Sequence, residues 1–264
     1  MSHASHTPAS PLFWPMDWSL PAGVHAVCTT RMGGISKAPF DSLNLGDHVQ
    51  DDPQAVAQNR ALLQAQLGGA RPIFLNQVHS VDVAQLSVTT PDGTQADACL
   101  TREPQVACTI MVADCLPLLF TDDAGRVVAA AHAGWRGLAA GVLEQTIHAV
   151  CEKAGAVPAQ VRVWLGPCIG PDAFEVGDDV RVAFTAGAAS SQVAQYFKTH
   201  PTHAGKWLAD LAGLARERLQ VLGVTSVAGN NSTPAWCTVT QHSRLFSYRR
   251  DGVTGRFAAC IWRS

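Results

Sequence analysis

The sequence predicts a single domain of the mixed α/β (α+β) class, and three observations support this prediction. Hydrophobic residues make up 47% of the 264 residues and charged residues only 15%, which is typical of a compact protein with a sizeable core. Segments with the apolar pattern of buried strands alternate along the chain with segments that carry helix start and stop signals. No internal repeat or sharp boundary divides the chain, so we assign residues 23–264 to one domain.

Residues 1–22 are predicted to form a flexible arm. They contain four prolines and lack the basic region and long apolar run of a secretory signal. No stretch of the chain reaches the ~18 uninterrupted apolar residues of a membrane span, and the net charge of −2 provides no basic field for nucleic acid. The eight cysteines include no C-x-x-C pair, which indicates reduced thiols. We expect a cytoplasmic protein that binds neither nucleic acid nor a membrane.

Four segments are predicted to be helices. Asp52 and Pro53 provide a cap and a first helical residue for the first of them, and a glycine pair ends it. The fourth carries a stripe of Trp and Leu residues, which indicates a face packed on a sheet rather than a binding surface. The segments span residues 51–69, 138–155, 176–187 and 205–223.

Strands are predicted between these helices. The segment 72–86 is expected to form one or two strands, broken near Asn76 and Gln77. The last quarter of the chain, residues 237–262, alternates in polarity and contains the turn signal Asp251-Gly252, so it is expected to pair strands. The other strand segments are 24–34, 106–120, 126–135 and 161–171.

Cys115 and His132 attract attention because each interrupts an otherwise apolar strand segment. With a two- or four-residue turn in "TDDAG", the antiparallel register places them directly opposite each other, with Cβ atoms roughly 4.5–5.5 Å apart. That separation suits one metal ion bound by both side chains. A buried Cys facing a His that is satisfied by a backbone carbonyl would give the same pattern. The nearby Asp114 and Arg136 favour a site over that alternative.

His79, in the polar segment "NQVHS", is the best candidate for a third metal ligand. Two His and one Cys leave one open position on a tetrahedral zinc ion, as catalytic zinc sites do. A non-enzymatic module with a structural zinc would need a fourth protein ligand, and none is evident in the sequence.

Eight motifs resemble, in order, those of the laccase-domain or "polyphenol oxidase" family. They are "TTRMGGISKAPFDSLNLGDHV", "DDPQAVAQNR", "NQVHS", "ADCLPLLF", "AAHAGWRGLAAGVLE", "LGPCIGPDAFEVGDDV", "GKWLADLAGLAR" and "FSYRRDGVTGR". The resemblance runs from about residue 24 to residue 260 without large gaps. Members of the family are described as purine nucleoside phosphorylases with adenosine deaminase and methylthioadenosine phosphorylase activity.

The resemblance implies a fold, a metal site and a set of substrates. The fold is a central β-sandwich of mixed sheets covered by helices. The metal is zinc, with copper as the alternative, held by His79, Cys115 and His132, which would also be the catalytic residues. The substrates are adenosine, inosine or methylthioadenosine, with phosphate. The residues implied to bind them are Arg31, Asn44, Arg60 and Arg249.

The chemistry of both implied activities suits a zinc site with arginines nearby. Phosphorolysis needs a phosphate held against the anomeric carbon, and guanidinium groups and a metal neutralise and orient phosphate. Deamination needs the open metal position to hold water, whose pKa zinc lowers towards ~7. The H-x-E and P-C-x-x-C signature of the zinc deaminase fold is absent from the sequence.

Two other readings use the same residues. Cys115 as a nucleophile with His132 or His79 as the base would give a cysteine hydrolase, for example one that edits cell-wall precursors. A copper-dependent polyphenol oxidase is the other reading, because a His/Cys site binds copper by its higher intrinsic affinity. The chain has ten His and no H-x-H pair, which is a poor ligand supply for a multicopper enzyme. The sequence does not indicate an oligomeric state.

Overall fold

The structure is a computed structural model that describes residues 12–185 and 193–264. In these ranges three β-sheets and six α-helices are formed. The strands are β1 Val24–Cys28, β2 Arg71–Phe74, β3 Val83–Gln85, β4 Ala98–Thr101, β5 Val106–Val112, β6 Leu116–Asp122, β7 Val128–Ala133, β8 Val161–Leu165, β9 Glu175–Val176, β10 Phe197–Thr199, β11 Trp207–Ala209, β12 Ser226–Gly229 and β13 Phe257–Arg263. The helices are α1 Pro53–Gln66, α2 Trp135–Ala140, α3 Val142–Ala154, α4 Asp178–Thr185, α5 Leu211–Val221 and α6 Tyr248–Asp251.

The two larger sheets pack face to face as a sandwich. One has the strand order β1-β13-β5-β2 and the other the order β12-β8-β6-β7-β4-β3, and both mix parallel and antiparallel pairs. Successive residues of β5 alternate between two cores: Cys108 and Ile110 belong to the core between the sheets, whereas Ala107 and Met111 belong to the core on the outer face. All seven residues of β5 are buried because both of its faces are covered.

Helices cover the outer faces of both sheets. Residues of α3 and α5 form one core with the outer face of the six-stranded sheet. Leu63 of α1 belongs to the core on the outer face of the four-stranded sheet. The structure therefore confirms the predicted mixed α/β sandwich covered by helices and built as one domain. No helix in the described part of the chain is both long and apolar enough to cross a bilayer.

The helix predictions hold where capping residues set the ends. The Asp52 side chain accepts a hydrogen bond from the amide of Gln54, and Pro53 begins α1 as predicted. The predicted helix 205–223 is wrong at its start. Trp207–Ala209 is a strand, and α5 begins only after Asp210, whose side chain accepts from the amide of Gly213.

Two strand predictions also need correction. The segment 106–120 forms two strands in different sheets, β5 and β6, and the chain passes between them through Asp114, which has a φ of 95°. In the last quarter, Asp251-Gly252 ends the short helix α6 and turns no hairpin. The reason lies in Arg250, whose guanidinium donates to the carbonyls of Thr238 and Leu245 and holds this segment as a packed loop.

The predicted register of the β6–β7 hairpin is wrong by two residues. His132 pairs with Pro117, not with Cys115. The loop is wider than expected because the buried Asp122 carboxylate accepts hydrogen bonds from the amides of Arg126 and Val127, which ties the chain into a longer turn. A shift by an even number of residues keeps every side chain on its predicted face. Cys115 and His132 are therefore diagonal neighbours on one side of the hairpin.

Asp122→Ala is expected to lower the free energy of unfolding by about 1–3 kcal/mol, because it leaves three amide groups of the turn, those of Ala124, Arg126 and Val127, without an acceptor. Urea denaturation of the wild-type and variant proteins measures this difference. Asp123→Asn at the neighbouring, half-exposed position is the control and should change stability by less than ~0.5 kcal/mol. Equal stability of the Asp122→Ala variant and the wild type would show that the carboxylate does not hold the turn.

Part of the predicted arm packs against the body of the protein. Residues 1–11 lie outside the described residues. Trp14 is buried, its amide donates to the carbonyl of Cys28, and its ring lies 5.8 Å from that of Trp236. Residues 12–22 therefore cover one edge of the core.

Candidate metal centre and cavity

The structure brings the three predicted ligands together. The ligand atoms of His79, Cys115 and His132 all lie within 4.8 Å of one another. Sγ of Cys115 is 3.7 Å from Nε2 of His79, and the rings of the two His meet edge to face with centroids 4.7 Å apart. His132 is buried in β7, Cys115 is half-buried just before β6, and His79 is exposed in the loop after β2. Three separate segments thus meet at one point.

Asp97, which the sequence analysis did not single out, positions both histidines. Its buried carboxylate accepts hydrogen bonds from the amides of Val78, His79 and Ser80, and it lies 2.7 Å from Nδ1 of His132. These three amides hold the His79 loop, in which His79 has a φ of 63°. The contact with Nδ1 directs Nε2 of His132 towards the cluster. Carboxylate–histidine pairs of this kind orient metal-bound imidazoles in many proteins.

The three ionisable groups around His132 shift one another's pKa. Burial disfavours the charged form of Asp97, but its hydrogen bonds with His132 and the backbone lower the carboxyl pKa to about 2. Burial also raises the pKa of the Cys115 thiol, but His132 and His79 outweigh it and lower that pKa to about 6. The pKa of His132 is raised to about 9 by Cys115 and Asp97, against the effect of burial. The lowered pKa favours the Cys115 thiolate, the form that binds metals.

A close approach at Gly134 shapes the cluster. A Cβ atom at this position would lie 2.6 Å from Cδ2 of His79 and 3.0 Å from Sγ of Cys115. Only glycine leaves room here for the two ligand side chains to approach each other. The backbone conformation does not require glycine, because Gly134 is in an ordinary extended conformation, with φ −67° and ψ 163°.

The cluster forms part of the wall of a cavity of about 840 Å³. The cavity is large enough for a nucleoside-sized ligand. Its walls carry four arginines, four aromatic side chains and a few uncharged polar groups. The arginines are Arg60, Arg136, Arg249 and Arg256, and the aromatic residues are Phe74, Trp135, Phe174 and Tyr248.

Two of the four residues predicted to bind substrate line this cavity. The Arg60 guanidinium lies 4.0 Å from the centre of the Phe74 ring, and its Nη2 is 3.2 Å from the Asp47 carboxylate. Nη1 of Arg249 donates to the carbonyls of Ala173 and Glu175. Each of these guanidinium groups is therefore held in place at the wall.

Arg31 and Asn44 do not line the cavity. Arg31 donates to the carbonyls of Asp41 and His242 and stacks on Phe246. Asn44 is fully buried, and its side chain accepts from the amide of Arg256. Asn44 therefore supports the backbone that presents a cavity arginine. Substrate contact by Arg31 or Asn44 stays a prediction.

Arg256 and Asp97 also belong to this site but were not predicted from the sequence. Arg256 lies in a loop without a periodic pattern, and only the fold brings it to the wall. Asp97 did leave a signal, because it is a charged residue directly before the buried strand β4. Asp114, which the sequence flagged, accepts from the hydroxyl of Thr238 and the amide of Arg249 and so fastens the Arg249 segment next to Cys115.

A second group of potential ligands, Glu175, His200 and His203, lies on the small sheet β10-β11-β9. Nδ1 of His200 accepts from the amides of Thr202 and His203, and Nε2 lies 3.2 Å from the Glu175 carboxylate. His203 also contacts the Glu175 carboxylate through Nδ1. These contacts account for the cluster without a metal ion.

The fold and the site define a helix-covered β-sandwich protein with a His/Cys/His cluster in the wall of an arginine-lined cavity. The chain belongs to the family described as multi-copper polyphenol oxidoreductase laccase, whose sequence model matches residues 25–264. The resemblance noted in the sequence is thereby confirmed.

Relatives with curated names and solved structures support this assignment. A Pseudomonas aeruginosa protein named purine nucleoside phosphorylase is 51% identical over 246 residues, which cover 93% of this chain and 96% of the relative. Purine nucleoside phosphorylase YfiH of Escherichia coli is 46% identical with the same coverage. The crystal structure of Neisseria meningitidis protein NMB0706 superposes with a TM-score of 0.87 at 46% identity, covering 96% of this chain and 99% of that one.

Proposed function

We propose that this protein is a metal-dependent purine nucleoside phosphorylase. Its substrates would be adenosine, inosine or methylthioadenosine, and its products the free base and a ribose 1-phosphate. The observation that carries the proposal is the position of the His79, Cys115 and His132 cluster in the wall of a nucleoside-sized cavity with four arginines. The relatives named purine nucleoside phosphorylase, at 51% and 46% identity, support the same reaction.

The donor set fits a zinc ion. One thiolate and two imidazole nitrogens are ligands that zinc prefers, and three protein ligands leave one position for a substrate or water. His132 is already oriented for binding, because Asp97 engages Nδ1 and leaves Nε2 facing the cluster. Copper is the alternative metal for the same donors. When bound, the metal supplies Lewis-acid polarisation and lowers the pKa of water, which suits both phosphorolysis and a side activity as an adenosine deaminase.

The remaining residues have separate tasks in phosphorolysis. The guanidinium groups of Arg249 and Arg256 have no carboxylate partner among the described residues, so they can neutralise phosphate and hold it in place. Their anchoring to backbone carbonyls keeps that arrangement ready before substrate binds. The rings of Phe174 and Trp135 line the cavity, each with an arginine over one face, and a purine can stack on the apolar surface that remains.

The test is to incubate the metal-replete protein with adenosine, with and without phosphate, and to identify the products. Adenine and ribose 1-phosphate that form only with phosphate would support phosphorolysis, and inosine would support the deaminase side activity. The absence of both products in both conditions would refute the proposal that the substrates are nucleosides.

Arg249→Ala should raise the KM for phosphate at least ~tenfold if this arginine holds the anion.

A cysteine hydrolase is the second candidate, and the lowered pKa of Cys115 favours it, since a thiolate beside an imidazole is an activated nucleophile. It would use Cys115 as the nucleophile and His132 or His79 as the base. The two candidates differ in what occupies the sulfur, because a metal-bound thiolate reacts slowly with alkylating agents and a free one reacts fast.

Alkylation by iodoacetamide is expected to separate these candidates. In metal-free protein the rate at Cys115 should rise with pH around about 6, because the thiolate forms there. Added zinc should slow that reaction at least ~tenfold. Cys151, half-exposed and with a pKa raised by burial, is the internal control and should react slowly with or without zinc. Fast alkylation of Cys115 in protein saturated with zinc would support the hydrolase.

A multicopper polyphenol oxidase finds little support in the site. The described residues hold two groups of three potential ligands, and one of these is satisfied by its own hydrogen bonds. The partners we infer are therefore purine nucleosides and phosphate, and we infer a cytoplasmic location from the sequence alone.

A further inference from the structure

Most polar side chains that line the cavity are already committed to protein partners. The Gln77 carboxamide donates to the carbonyl of Met111 and accepts from the amide of the same residue. Asp47 contacts both Arg60 and His48. The carboxamide of Asn76, an exposed residue, lines the cavity and has no hydrogen-bond partner within residues 12–185 and 193–264. Its donor and its acceptor are both available to a ligand.

The backbone of Asn76 is fixed, so the side chain is presented from a defined place. Its amide donates to the carbonyl of Thr94, and its carbonyl accepts from the amide of Ala96. Asn76 lies two residues after Phe74, on whose ring Arg60 is stacked, and three residues before His79. Asn76 therefore shares the cavity wall with Phe74 and His79.

A carboxamide matches the chemistry of purine bases in a particular way. In a 6-aminopurine, N1 accepts a hydrogen bond and the neighbouring 6-amino group donates one. In a 6-oxopurine, the N1–H group donates and the neighbouring O6 accepts. A half-turn of a carboxamide exchanges its own donor and acceptor, so one Asn can pair with either base through two hydrogen bonds. We propose that Asn76 recognises the N1 and C6 edge of the purine, and that its unbound carboxamide lets one site accept both 6-amino and 6-oxo nucleosides.

This assignment rests on the proposed function, and two other lining residues are its competitors. Arg136 carries only donors and stacks on the Trp135 ring, so it cannot pair with an amino group. The Tyr248 hydroxyl is a single atom and cannot face both positions of the edge at once. Asn76 alone among the three offers a donor and an acceptor side by side.

The test combines changes in the residue with a change in the substrate. Phosphorolysis of adenosine, inosine and 1-deazapurine riboside, which lacks both N1 and the 6-substituent, is measured with the wild type and with Asn76→Leu and Asn76→Asp. Both variants should lower kcat/KM for adenosine and inosine about tenfold or more and leave that for the deaza analogue within about twofold. Asn231→Leu, at an exposed position outside the cavity, is the matched control and should change none of the three.

Each outcome decides the assignment. An equal loss for all three substrates would overturn it, because a structural role affects them alike, and so would unchanged rates. A selective loss in Tyr248→Phe, with none in the Asn76 variants, would transfer the role to Tyr248. If the wild type turns over neither nucleoside, the phosphorylase proposal fails. In that case equilibrium dialysis measures the dissociation constants of the three nucleosides for the wild type and the Asn76 variants. The assignment then predicts the same fold-changes in affinity as those given above for kcat/KM.

Discussion

Asp97→Asn is expected to weaken zinc binding by about 10- to 100-fold and to lower kcat/KM by a similar factor, the usual cost of removing a residue that orients a metal ligand. The carboxylate accepts from three consecutive amides and from His132, and an amide group has one acceptor atom for these four contacts. Both His79 and His132 therefore lose part of their support. Zinc affinity is measured by competition with a chromophoric chelator.

Asp123→Asn, a half-exposed change outside the cavity, should leave zinc affinity unchanged. Wild-type zinc affinity in Asp97→Asn would contradict the positioning role.

The acid stability of the metal-free proteins gives a second readout. The Asp97 pKa of about 2 lies below its usual value, so its contribution to folding, about 2 kcal/mol, is complete above about pH 4 and is lost between about pH 4 and 2. As the pH falls from about 4 to about 2, the wild-type protein should lose the part of its free energy of unfolding that Asp97 contributes, whereas Asp97→Asn should not.

Gly134→Ala is expected to reduce zinc binding and phosphorolysis at least ~tenfold while the fold persists. The added Cβ meets His79 at 2.6 Å and Cys115 at 3.0 Å, so the exposed His79 ring has to move away from the cluster. A displacement of about 1 Å at a reacting site can cost ~10²-fold in rate. The backbone angles at Gly134 suit alanine, so the free energy of unfolding should change by less than ~1 kcal/mol.

Gly205→Ala is the matched control with the opposite expectation. No atom lies within 4 Å of a Cβ at this position, but its φ of 75° disfavours alanine. It should cost about 1 kcal/mol of stability and leave activity intact. Thermal unfolding and steady-state kinetics of both variants make the comparison. Full activity in Gly134→Ala would show that the close approach of His79 and Cys115 is not needed.

The sequence predicts those parts of the fold that local signals determine. Asp52 and Pro53 locate the start of α1, and the sequence of β5, apolar except for Thr109, indicates a strand covered on both faces. Long-range contacts decide the rest. The turn at Asp251-Gly252 has the signal of a hairpin, but Arg250 donates to carbonyls 12 and 5 residues before it and holds the segment as a loop. Trp207–Ala209 has helical spacing and becomes a strand because β9 and β10 pair with it.

The residue types predicted which side chains meet at the metal site more reliably than the strand register did. The predicted grouping of His79, Cys115 and His132 agrees with the structure, although the hairpin register used for two of them is wrong. The grouping is still correct because the register error is an even number of residues and keeps both side chains on one face. Arg256 was missed because its position depends on contacts with Asn44, 212 residues away in the chain.

Metal binding by two imidazoles and one thiolate at this cluster is tested most directly by zinc K-edge X-ray absorption of the zinc-loaded protein. The predicted first shell contains one sulfur at about 2.3 Å with nitrogen or oxygen at about 2.0–2.1 Å, and the sulfur disappears in Cys115→Ala. A first shell of nitrogen and oxygen only, in the wild-type protein, would contradict the account.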